Sequence, residues 1–165
     1  MIDTNKSNST EQQYAGHVIF QEVERLLNID LKENPKIYLA DNRYTYIEPD
    51  FYSEENNIVG EIFAHIGKPK KAQDNKIAND ILKMLLLEKV KGKRYRKIIV
   101  VCDEMQENKL KGLSTLAESI RQFDIEVMKV DISEELRKQV IFAQERQRMI
   151  NAEWFFSTVF SMIIW

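Results

Sequence analysis

The chain has 165 residues, 44% of them hydrophobic and 30% charged, which suits one domain with its own core and is short for two. Cys102 is the only cysteine, which excludes an intrachain disulfide and a cysteine-built zinc site and fits a reducing, cytoplasmic setting. A net charge of −2 says nothing for or against nucleic acid, but its distribution is uneven. From Lys68 to Lys97 there are eleven basic residues against three acids, a local charge of +8 able to neutralise several phosphates.

The first residues, Met1 to Glu11, are polar and contain no apolar run, so no signal peptide is expected, and residues 1–10 read as a disordered lead-in. Glu11 to Asn28 carries Val18, Ile19, Val23, Leu26 and Leu27 at helical spacing. Pro35 closes a loop, and Lys36–Ala40, Tyr44–Tyr52 and Ile58–Ile66 read as strands. The spacing predicts a helix over Ala72–Val90 that buries Ile77, Ile81, Leu82 and Leu85. Lys97–Cys102 is a continuous apolar run, as in a strand covered on both faces. A helix from Glu104 to Gln122, a strand from Ile125 to Val130 and a final helix capped by Ser133 complete the order. This order predicts an α/β domain over residues 11–150, a mixed sheet of about five strands flanked by helices.

Residues 151–165 form a separate apolar segment. Nine of the twelve positions from Trp154 to Trp165 are large and apolar. A bilayer span needs roughly twenty such residues, so no membrane is expected. Soluble chains rarely leave such a surface bare. The expected cover is a second copy, giving a homodimer, or a partner protein.

Two acids stand out on adjacent predicted strands, Asp50 in Ile47-Glu48-Pro49-Asp50 and Glu61 in Val59-Gly60-Glu61-Ile62-Phe63. The polar turn Ser53–Asn57 joins those strands, so a hairpin can set the two carboxylates side by side. Like charges repel, and a hard divalent cation is the usual way to keep both ionised. His65 extends the Glu61–Phe63 face and is a candidate phosphate contact or base; His17 stands in no motif. Lys93, Arg94 and Arg96, with Tyr95 among them, suit contact with a duplex backbone.

Pro49-Asp50, Gly60-Glu61 and the helix motif Gln73-x-x-Lys76, in this element order, resemble the PD-(D/E)XK nuclease superfamily over roughly half the chain. The resemblance implies a restriction-endonuclease-like fold and Mg²⁺- or Mn²⁺-dependent hydrolysis of DNA phosphodiesters. Asp50, Glu61 and the carbonyl of Ile62 would hold the metal, with Glu22 of the first helix and Gln73 in support. The family's lysine lies two residues after the second acid, where this chain has Phe63. Some members carry it on the following helix, which makes Lys76 the candidate and Lys68, in the preceding loop, the second. Against that, Lys76 has the spacing to pair with Asp80 on a wet helix face. Lys68, Lys70 and Lys71 would grip phosphates beside the scissile bond. Phe63 also supports an alternative from another class, a catalytically silent nuclease-like fold that binds nucleic acid or protein.

Overall fold

A computed structural model describes residues 10–39 and 44–163, and the side chains of Gln12 and of residues 150–163 are not among the features described. The expected lead-in and the apolar side chains of the tail therefore lie outside the described residues.

The central sheet has five strands in the order β1-β4-β5-β6-β7: β1 (Lys32–Glu33), β4 (Phe51–Ser53), β5 (Ile58–Phe63), β6 (Arg96–Val101) and β7 (Ile125–Lys129). The pairs β1–β4 and β4–β5 are antiparallel, whereas β5–β6 and β6–β7 are parallel. The sheet is thus mixed, as the element order predicts. The segment expected to form its first strand does not join it. Ile37–Tyr38 (β2) pairs with Tyr46–Ile47 (β3) as a separate ribbon, and the sheet's edge is Lys32–Glu33 instead. Two residues of polar sequence carry no alternation to read.

Helices cover both faces. On one lie α1 (Thr10–Leu27) and α5 (Glu134–Ile163), with Ile19, Val23, Leu136 and Val140 packed on Phe51, Ile58, Ile98 and Val100. On the other lie α2 (Lys71–Lys91), α3 (Glu104–Leu110) and α4 (Thr115–Gln122), with Ile77, Ile81, Met84, Leu87, Leu110 and Ile120 on Tyr52, Val59, Phe63 and Ile99. A single helix from Glu104 to Gln122 is not formed. It breaks at Lys111–Ser114, where the Ser114 Oγ accepts from Ala117 N at 3.1 Å and starts α4 afresh. Ser133 caps α5 as expected, accepting from Leu136 N at 3.2 Å. The α5 backbone is one continuous helix to Ile163, and no helix among the described residues is long and apolar enough to cross a membrane.

Gly60 fixes the register that matters most. It faces Phe51 across the β4–β5 ladder, and Phe51 is fully buried. A Cβ on Gly60 would stand 2.0 Å from the Phe51 ring and 2.7 Å from the Ile98 carbonyl. Only glycine lets the ring lie flat across the strand. One step beyond that pair, the same antiparallel register sets Asp50 opposite Glu61.

Candidate active site

Glu61 lies in mid-strand on the face covered by α2, between Val59 and Phe63, and is 6% exposed. Asp50 precedes β4, half-buried, and its Oδ2 accepts from the Ile62 amide at 2.6 Å. The Ile62 group seen at work is therefore its N–H, which orients Asp50. The Asp50 and Glu61 carboxyls stand close enough for each to act on the other electrostatically.

A third carboxylate joins them. Asp80 is only 3% exposed, although its sequence neighbourhood reads as a wet stripe of α2. It falls three residues after Ile77 and four before Met84, squarely on the buried face. Leu82, expected inside, is 63% exposed, because the burying face runs through Ile77, Asp80, Ile81, Met84 and Leu87. Asp80 binds two lysines, accepting from Lys76 Nζ at 3.1 Å and Lys83 Nζ at 2.8 Å. The expected Lys76–Asp80 pair thus exists, but with a buried acid. The Lys76 ammonium also lies 5.7 Å from the centre of the Phe63 ring, within cation–π reach.

Charge explains the state of the acids. Burial, the neighbouring Asp50 and then Asp80 push the Glu61 carboxyl up to about 9, with Lys76 and then Lys83 pulling the other way. Burial likewise raises Asp50, against the Ile62 amide and Lys76. Three carboxylates and two ammonium groups leave one negative charge uncompensated, which a single proton on Glu61 cancels. Glu61 Oε1 is nonetheless buried with no hydrogen-bond partner among the described residues. A buried carboxylate oxygen with nothing to bind, beside a second carboxylate, is a donor set suited to a hard cation. Among the described residues no group of three or more His, Cys, Asp or Glu side chains is gathered as a metal cluster.

Asp50 lines an open cleft of about 850 Å³, whereas Glu61 is buried in the strand and is not part of its lining. Asp50, Ile62, Phe63 and His65 line it from the sheet, Lys70, Gln73 and Lys76 from α2, and Gln144 and Arg148 from α5. His65, past the end of β5, is half-buried, and burial followed by Lys70 lowers its affinity for a proton. Gln73 caps its own helix, its Oε1 accepting from Lys70 N at 2.6 Å. Lys68, Lys70 and Lys71 are exposed around the start of α2, and Lys70 lines the cleft itself.

Other expected residues are placed elsewhere. Glu22 sits at the edge of α1 and pairs with Arg25 at 2.5 Å; the buried stripe there is Ala15, Ile19, Phe20 and Val23. Arg25 holds the Glu22 carboxyl below the ordinary range. Lys93, Arg94 and Arg96 lie where β6 begins, about 20 Å of strand from the cleft end of β5 at about 3.3 Å per residue. Each meets an acid there, Glu54, Asp124 and Glu126 respectively. The +8 segment is thus divided between two ends of the sheet. α1 supplies a residue that no motif marks. His17 lines the cleft, its Nδ1 2.9 Å from Glu33. No family model, curated protein or solved structure matches the chain.

Proposed function

We propose that this chain is a Mg²⁺- or Mn²⁺-dependent nuclease of restriction-endonuclease-like fold, hydrolysing DNA phosphodiesters. The observation that carries this reading is the pair of Asp50, which lines the cleft, and the buried Glu61, opposed by strand register, with Glu61 Oε1 lacking a partner among the described residues. Asp50 and Glu61 would hold the ion, which when bound supplies a Lewis acid for the phosphate and a water of lowered pKa. The Ile62 amide keeps Asp50 turned toward Glu61. Glu61 gives up its proton on loading, since a protonated carboxyl is a poor ligand. Lys76, held close by Asp80, would orient the attacking water or steady the developing phosphate charge. Lys70, with Lys68 and Lys71 beside it, offers cations to the flanking phosphates. The lone cysteine supports a cytoplasmic setting, and the apolar sequence of 151–165 supports pairing of two chains, so that two sites address two strands.

The test is supercoiled plasmid incubated with the full chain and Mg²⁺ or Mn²⁺. Nicking that stops with EDTA and in Asp50→Asn supports the enzyme. Intact plasmid under both metals, with DNA still retarded in a gel, supports the alternative of a silent nucleic-acid-binding module.

A further inference from the structure

Lys76 has a long, flexible stem, and its side chain is 55% exposed. A lysine of that kind left to itself samples many rotamers and loses that freedom when it is fixed. Two contacts restrain it here. Asp80 Oδ2 lies 3.1 Å from its ammonium, and the Phe63 ring passes beneath at 5.7 Å. Asp80 is itself held by burial and by Lys83, which takes its other oxygen at 2.8 Å. Asp80 shares the buried face of α2 with Ile77, Ile81 and Met84, which limits the room its carboxylate has to move.

We propose that Asp80 and Phe63 are positioning residues that together hold the Lys76 ammonium over the strand that carries Glu61, with Lys83 as the second cation that keeps Asp80 in place. The displaced lysine is thereby compensated: the strand supplies an aromatic seat and the helix supplies the cation. Phe63 is then part of the machinery, and no longer a sign of decay. Asp80 acts through Lys76; its two oxygens are both engaged by ammonium groups, so it is not a third metal ligand. The assignment of a chemical role to that ammonium rests on the nuclease reading, but the tethering itself does not.

The experiment therefore has two arms. In the first, plasmid cleavage with Mn²⁺ is measured for the full chain, for Asp80→Asn, for Lys76→Gln and for the double variant. A shift of about 1 Å in a positioned group can cost on the order of 100-fold. We expect Asp80→Asn to lower kcat by about that factor with KM little changed, and Asp80→Glu to recover part of it. We expect Asp80→Asn to add nothing in the Lys76→Gln background. Equal and additive losses in both backgrounds would mean that Asp80 merely supports the fold, and would overturn the proposal. The second arm needs no activity. In metal-free protein, ¹⁵N NMR of lysine ammonium groups is expected to show resolved signals for Lys76 and Lys83 beside that of the buried Lys97, assigned by Lys76→Gln and Lys83→Gln. Both should be lost in Asp80→Asn, and that of Lys76 alone shifted in Phe63→Leu. If the chain cleaves no DNA yet these signals behave so, the nuclease reading fails and the tether stands. If Asp80→Asn leaves them unchanged, the tether is wrong whatever the activity.

Discussion

Replacing Glu61 by glutamine is expected to make the metal-free protein more stable, and the gain has a pH dependence of fixed sign. Glu61 ionises in the native state only near 9, against 4.5 in an unfolded chain. At pH 7 folding must therefore put a proton on this carboxyl, at about 1.4 kcal/mol per unit of pH above 4.5, or about 3 kcal/mol. The folded pKa is raised, so the stabilising contribution of Glu61 is complete below pH 4.5 and declines as pH rises toward 9. Glutamine keeps the shape, can donate to Asp50, and does not titrate. Urea denaturation in EDTA should thus show Glu61→Gln and the natural chain alike at about pH 4.5 and separated by about 3 kcal/mol at pH 7. With a urea slope of about 1–3 kcal/mol per molar, the midpoint rises by about 1–3 M. With Mn²⁺ at a hundred times its Kd, the natural chain alone recovers about 2.7 kcal/mol and the gap closes. A glutamine variant that is less stable at pH 7, or a difference independent of pH, would refute the placement of a buried, metal-free carboxyl pair.

Three further outcomes are expected. Gly60→Ala drives a methyl into the Phe51 ring and the Ile98 carbonyl, so it should cost about 3 kcal/mol or more in urea denaturation and weaken metal binding through loss of register. Replacing Lys68, Lys70 and Lys71 together by alanine should reduce the slope of log affinity for duplex DNA against log salt by about 3, measured by fluorescence anisotropy. The same change at Lys93, Arg94 and Arg96, already paired with acids at the far end of the sheet, should alter that slope by less than about 1. Deleting Trp154 to Trp165 should turn a dimer into a monomer or an aggregate; a full-length chain that sediments as a monomer at micromolar concentration would rule the dimer out.

Periodicity carried the long elements. Lys97–Cys102 is apolar at every position but its first because both faces of β6 are covered, and that shows in sequence. Glu61 is legible for a related reason, as a polar residue inside an apolar strand, and Asp50 because it immediately precedes the strand joined to it by a short turn. The β1 edge was not, because Lys32 and Glu33 are both exposed and carry no pattern. Asp80 was misplaced because a residue bordering an apolar stripe is read as solvated when it is charged, whereas here two lysines bring solvent-like neutralisation into the interior. Glu22 shows the opposite error, an acid beside the stripe of α1 whose head reaches Arg25 in water. The basic run was read as one patch because sequence counts charges and does not show that Lys91 and Arg96 flank a turn at one end of a strand, while Lys70 stands beyond the other end. His17 stands in no sequence motif because its partner Glu33 lies sixteen residues away.

The central claim is that Asp50 and Glu61 together bind a divalent cation in place of a proton. Calorimetric titration of the full chain with Mn²⁺ at about pH 7, repeated in two buffers of different ionisation enthalpy, measures the ion and the proton at once. The account predicts a site that takes up the ion while releasing about one proton, and that disappears in Asp50→Asn and in Glu61→Gln. Binding without proton release, or binding that survives both substitutions, would place the cation elsewhere and contradict it.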